Sequence, residues 1–184
     1  MTELSLNILD IAENSVKAGA PFTEIMVMVN SAKNLLEITI RDNGCGMSEE
    51  QVNRVIDPFY TTRTTRKVGL GVPFFKESAE SAGGSFSIKS EVGVGTTVKA
   101  SYELDNIDRM PMGDLTATIH TLVTMHDDID FLFTYIVNEN EFSLDTRELR
   151  EILGDISFKE YEISNYIKDY LKENITSVTG EIII

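Results

Sequence analysis

Tryptophan is absent, and the 184 residues contain a single cysteine, two histidines and four prolines. One cysteine excludes an internal disulfide, so burial and hydrogen bonding alone must hold the fold, as in a reducing compartment. No apolar run approaches the ~20 residues that span a bilayer, and the N-terminus lacks the basic and apolar regions of a signal peptide. A cytoplasmic location is expected. Cations are also scarce, with 16 Lys and Arg against 30 Asp and Glu, a net charge of -14. The deficit is uneven: residues 1–102 carry 10 cations against 12 acids, whereas residues 103–184 carry 6 against 18. An acidic surface repels phosphate backbones, which argues against nucleic acid and anionic membranes as partners.

What is present describes a globular chain with 42% hydrophobic and 25% charged residues, long enough to bury a real core. The composition shifts near residue 104, and we expect a unit over residues 1–103 followed by an acidic α+β extension over 104–184, serving docking or dimerisation. Leu4 to Ala18 carries apolar residues at helical spacing and ends at Gly19-Ala20-Pro21. Two alternating runs, 24–30 and 35–41, read as a hairpin, and Ser48 opens a further helix that stops before Asp57-Pro58. Residues 72–82 are amphipathic, and 85–90 with 92–102 form a second hairpin. In the extension, 114–125 reads as a helix, 130–137 and 141–146 as a hairpin, and 146–153 and 158–174 as helices. Ile163, Tyr166, Ile167, Tyr170 and Leu171 fall there at core-like spacing.

The run Ile38 to Met47 carries the strongest chemical signal. Its alternation marks a strand that ends at Asp42, where Asn43-Gly44-Cys45-Gly46 breaks it. A carboxylate at a strand end beside glycines accepts a hydrogen bond from an amino group lying flat in a pocket, and the glycines let backbone approach the same planar ligand. Alone, this hexapeptide fits an ordinary Asp/Asn/Gly turn equally well. On the first helix Asp10, Asn14 and Lys17 share one stripe, with Glu13 off it. Oxygen ligands and an ammonium in a row suit a magnesium ion and its attached phosphates; a solvated helix face reads the same way. Residues 59–67 form a polar loop with Thr62 and three cations, Arg63, Arg66 and Lys67, and no acid; Gly69-Leu70-Gly71 then feeds a helix N-terminus. Such a junction binds anions, with the loop as a lid. Cys45 reads as a small residue near this pocket rather than a nucleophile, since no basic partner adjoins it.

Together the helix Asp10 to Lys17, the box Asp42 to Met47, the loop Asp57-Pro58-Phe59-Tyr60-Thr61-Thr62, Gly69-Leu70-Gly71 and Gly93-Val94-Gly95-Thr96 resemble the GHKL ATPases. That superfamily groups gyrase B, heat-shock chaperone, histidine-kinase and MutL-type domains. The resemblance covers residues 4–102. Glu13-Asn14-Ser15 with Ala18-Gly19-Ala20 is most similar to MutL, and the short lid and second hairpin to the histidine kinases. The whole chain is also similar to stand-alone ATP-binding proteins that accompany iron-only hydrogenases, Asp108 to Asp114 contributing.

The resemblance implies an α/β two-layer sandwich: a mixed, mainly antiparallel sheet covered by helices on one face, plus the small α+β extension. It implies ATP and Mg2+ as ligands. Asn14 would hold magnesium, Lys17 a phosphate, and Asp42 the adenine amino group. Gly44, Gly46 and Met47 would wall the adenine pocket, Thr96 would join the hydrogen bonds around Asp42, and Gly69, Leu70 and Gly71 would wrap phosphates. Asp10 stands where hydrolysing members carry Glu as general base, and its shorter side chain, also a magnesium contact through water, reaches about one methylene less. Neither His120 nor His126 matches an acceptor box, which implies phosphotransfer to a separate protein or, alternatively, nucleotide-gated binding of a partner. A homodimer is a further expectation.

Overall fold

In the computed structural model, which describes residues 3–57 and 70–182, the alternating runs become a single six-stranded sheet. Helix α1 (Leu4–Lys17) precedes the hairpin β1 (Phe22–Asn30) and β2 (Leu35–Asp42); α2 (Glu49–Ile56) and α3 (Gly71–Ser81) follow, then the hairpin β3 (Ser85–Glu91) and β4 (Gly95–Glu103). After a loop come α4 (Leu115–Met125), β5 (Asp130–Val137), β6 (Asn140–Asp145), α5 (Thr146–Leu153) and α6 (Tyr161–Thr179). The strand order is β3-β4-β2-β1-β5-β6, and every pairing is antiparallel except β1 with β5. The mixed, mainly antiparallel α/β architecture expected from the sequence is the one found.

Period-2 patterning decides which face is covered. On β1, Thr23, Ile25, Val27 and Val29 are buried while Met26 is exposed; on β5, Phe131, Phe133, Tyr135 and Val137 are buried. These side chains meet α1, α4 and α6, while α3 packs on β3 and β4, and together they form one continuous core across the sheet. At ~25 cal/mol per Å2 of apolar area removed from water, each fully buried Phe, Ile or Leu contributes about 2 kcal/mol. Local signals set the helix ends. Ser48 and Gln51 form a reciprocal capping box on α2, and the Asp114 carboxylate accepts from Ala117 N-H at 2.8 Å on α4. The first turn of α1 is tied to the 110–113 segment through Leu4 N-H to Pro111 O and Ser5 N-H to Met112 O.

Strands β5 and β6 extend the sheet from β1 in parallel register, Phe22 opposite Asp130 through Val29 opposite Val137. The last helix begins at Tyr161 rather than Phe158, because Phe158 is buried beneath the Arg150 guanidinium, 4.6 Å from its ring centre. Of the residues at core-like spacing on α6, Ile167 and Leu171 are buried, but Tyr166 and Tyr170 are not. Among the described residues no helix is long and apolar enough to cross a membrane.

Candidate functional site

Strand β2 ends on the covered face, so its last residue, Asp42, points under α1 instead of toward solvent. Both carboxylate oxygens are held: Oδ2 accepts the Ser15 hydroxyl at 2.9 Å, and Oδ1 accepts Gly44 N-H at 2.9 Å. Each oxygen keeps a second lone pair, so the carboxylate is oriented without being saturated. It sits in the wall of a cavity of about 200 Å3 whose other polar lining is Asn14, Ser15 and Thr96. The rest is mainly apolar, with Ile11, Ile40, Met47, Val55, Val72 and Ile88 among the lining residues. A mostly apolar slot with one oriented acceptor has the chemistry to take a flat ring carrying an amino donor.

The loop after Asp42 is shaped by its own backbone bonds. Cys45 N-H donates to Ala18 O at 3.0 Å, Gly93 N-H to Cys45 O at 2.8 Å, and Met47 N-H to the Ser90 hydroxyl oxygen at 2.8 Å. These bonds draw the loop against the β3–β4 turn so closely that a Cβ on Gly46, whose φ is +63°, would lie 1.9 Å from Glu91 O. Only glycine fits there. Cys45 is exposed and lines the cavity mouth.

The other end of the site is built by α1 and α3. Asp10, Asn14 and Lys17 occupy one side of α1; Asn14 lines the cavity, Asp10 is half-buried and Lys17 is exposed. Gly71 opens α3 directly against Asp10, where a Cβ would be 3.1 Å from Asp10 Cβ and 3.2 Å from Oδ2. The missing side chain lets the N-terminus of α3 approach the Asp10 carboxylate. Leu70, the N-cap of α3, is exposed.

The structure thus brings Asn14, Asp42, Gly46, Met47 and Thr96 around one cavity, with Gly44 bonded to Asp42, and Asp10 against Gly71 beside it. Thr62, Arg63, Arg66, Lys67 and Gly69 lie outside the described residues. Thr96 faces Asp42 in the β2–β4 register, yet its hydroxyl pairs with Ser90 at 2.8 Å; the direct partners of Asp42 are Ser15 and Gly44. Ser15 and Ser90 were not singled out from the sequence. Ser15 carries a readable signal, a hydroxyl on the buried seam of α1 beside Asn14, whereas Ser90 depends on the register of two strands. His126, at the end of α4, is bonded through Nε2 to Glu13 at 2.6 Å, and His120 Nε2 to Ser164. Among the described residues no cluster of three or more His, Cys, Asp or Glu is arranged to hold a metal.

Known proteins resemble this chain in sequence over about half its length and in fold over most of it. The sensor histidine kinase YvrG of Bacillus subtilis is 32% identical over 94 residues, 49% of this chain and 16% of that protein. The sensor protein SrrB of Staphylococcus aureus is 33% identical over 102 residues, 53% of this chain and 17% of that protein. The chain therefore spans less than a fifth of the length of these relatives. In fold it is similar to the MutL ATPase domain of Aquifex aeolicus complexed with ADP, with a TM-score of 0.52 and 16% identity over 83% of this chain and 69% of that one. It is likewise similar to the N-terminal domain of a DNA repair protein, with a TM-score of 0.58 and 16% identity over 98% of this chain and 58% of that one. The family model for histidine kinase-, DNA gyrase B- and HSP90-like ATPases matches residues 2–106, more than half of the chain, and the protein belongs to that family.

Proposed function

We propose that the chain binds Mg-ATP and passes the terminal phosphoryl group to a separate protein. The observation that carries the nucleotide assignment is Asp42: a carboxylate in an otherwise mainly apolar cavity, each oxygen already fixed by one donor and open to one more. In this reading Asp42 accepts the amino group of adenine, while Gly46 and Met47 wall the ring. Asn14 would offer its amide oxygen to the ion, Asp10 would contribute through water, and Lys17 would meet a phosphate. A magnesium ion takes one or two protein ligands and completes its shell with water and phosphate, so Asn14 and Asp10 fit it without a larger cluster. When bound, the ion neutralises charge on the phosphate oxygens. The chain's own contribution is positioning, with the N-terminus of α3 directed at the phosphates.

One observation favours an acceptor on another protein: both histidines have their Nε2 atoms engaged, with Ser164 and with Glu13, and neither lines the cavity.

A second reading is supported by the Glu13–His126 bond. Glu13 adjoins Asn14 on α1, and His126 ends α4, so an adjustment of α1 on nucleotide binding is passed to the acidic C-terminal elements. The chain would then be a nucleotide-gated binding module with weak ATPase activity.

Incubation with γ-labelled ATP and candidate partner proteins separates the two readings. Label on a partner supports transfer; ATP-dependent association without label supports gating. The nucleotide assignment is tested by Asp42→Asn, which keeps the shape but turns one acceptor into a donor facing Ser15 or Gly44. Calorimetry should show affinity for ATP reduced about 10- to 100-fold, and an unchanged affinity refutes the assignment.

A further inference from the structure

Among the described residues strand β6 is one edge of the sheet, with no strand paired on its outward side. The two-residue turn Asn138-Glu139 makes Val137 and Asn140 a hydrogen-bonded pair, with Asn138 at φ +55°. Alternation from that pair directs the N-H and C=O groups of Phe142 and Leu144 to β5, and those of Glu141 and Ser143 away from the sheet. Among the described residues no backbone hydrogen bond reaches this outward side.

The edge is roofed by aromatic rings. Tyr166 is 61% and Tyr170 38% exposed, and their rings stack 6.0 Å apart at 8°. Tyr170 also meets Phe142 of β6 edge-on at 5.5 Å. With about 100° of turn per residue, Tyr166 and Tyr170 lie on the opposite side of α6 from Ser164, which bonds His120 of α4. The tyrosines therefore extend α6 past β6 instead of packing inward. Acids flank the strip: Glu139 and Glu141 on the strand side, Asp169 and Glu173 on the helix, all exposed and, among the described residues, without an ion pair.

We propose that β6 and the Tyr166–Tyr170 ladder form a docking strip for an extended segment of another protein that alternates apolar and basic residues. Added as a seventh strand, such a segment takes up the free N-H and C=O groups of Glu141 and Ser143. Its apolar side chains pass under the tyrosines beside Phe142 and Leu144, and its cations, on the other face of the sheet, meet Glu141 and the adjoining Glu139. A second copy of β6 offers Glu141 no cation: paired antiparallel it presents Glu141, Ser143 or Asp145 opposite, and the Asp145 carboxylate is already held by Arg147. The strip lies outside the nucleotide cavity, so the inference does not rest on the proposed reaction.

The test uses the full chain and a fluorescent peptide of about ten residues alternating Lys with Val, alongside a twin with Glu for each Lys. The lysine peptide should bind by anisotropy, shift the amide resonances of residues 141–145, and exceed its twin by at least about tenfold in affinity. Ser143→Pro removes an outward donor at an edge position where proline costs no ladder bond, and Tyr166→Ser removes an exposed ring. Each should weaken binding by at least about tenfold while leaving the thermal midpoint within a few degrees. Absence of binding at millimolar lysine peptide, equal binding of the twin, or unchanged affinity in Tyr166→Ser or a folded Ser143→Pro overturns the proposal. Dimers in sedimentation equilibrium that Ser143→Pro dissolves also overturn it, since the occupant is then a second copy.

Discussion

At the β3–β4–β2 end of the sheet, backbone runs against backbone: Gly46 stands where a Cβ would touch Glu91 O, and Gly95 where one would lie 2.0 Å from Asp42 O. At the β5–β6 end the described glycines meet no such obstacle: Gly154 and Gly180, in the turns there, have nothing within 4 Å of an added Cβ. That end is held by side chains instead. Arg150 donates to Asp130 Oδ1 at 2.8 Å and to Ile129 O at 3.1 Å, pairs with Asp127 at 3.7 Å and covers Phe158. Ser157 and Phe158 N-H bond the same Asp127. The contrast teaches what each region is for. A ligand slot needs backbone placed closely enough to wall a flat ring, which few residue types permit; a packed layer needs only apolar volume and a few polar ties.

If that distinction holds, mutations should separate affinity from stability. The largest effect is expected at Gly46. Alanine there combines a left-handed φ with a backbone clash, so the 43–47 loop must move away from β3–β4 and the cavity wall opens. ATP affinity measured by calorimetry should fall at least ~100-fold, with the thermal midpoint lowered by only a few degrees. A comparable loss of stability without loss of binding would dissolve the contrast. Arg150→Ala should do the reverse. It removes the cation shared by Asp127 and Asp130, lowers stability by about 1–3 kcal/mol in urea unfolding, and leaves nucleotide affinity unchanged. A drop in affinity would mean that the two ends are coupled more tightly than the Glu13–His126 bond alone implies.

The same difference explains which parts could be read from the amino-acid sequence. A backbone-constrained loop leaves glycines and an Asp at telling spacings, which makes the sharp turn from Asp42 to Met47 legible in the sequence. Strand β5 and helix α5 were also placed at their observed ends, 130–137 and 146–153, because Asp145, which caps α5, and the apolar alternation are local signals. What escaped notice depends on distance in the fold. The bond of His126 to Glu13 spans 113 residues, and the seating of β5 on β1 leaves no mark in either strand alone. Phe158 looked helical because its spacing is right, but Asp127 and Arg150 hold it in a loop. The tyrosines of α6 matched the apolar period through their rings while standing at an open edge. For Thr96, the register with Asp42 was foreseeable, whereas the nearer hydroxyl of Ser90 captured its hydrogen bond.

The smallest effect concerns a feature shared by both ends, one buried tyrosine in each. Tyr102 of β4 is 1% and Tyr135 of β5 2% exposed, and burial pushes both phenols up from the ordinary value of 10.0, Tyr102 further, against opposing hydrogen bonds with Ser78 and Thr179. A raised folded-state pKa means that the unfolded chain gives up its phenolic proton first. The stabilisation is therefore full below pH 10 and drains away as pH rises from there toward the folded values. Tyr102→Phe removes the larger of the two contributions. At neutral pH it should cost about 1 kcal/mol for the lost Ser78 bond, and above pH 10 its stability should decline less steeply than that of the parent. Tyr135→Phe should flatten the alkaline limb less. If urea unfolding between pH 8 and 11 shows parallel curves for all three chains, the phenols are already ionisable in the folded state, and the sheet's two ends are more open than their packing implies.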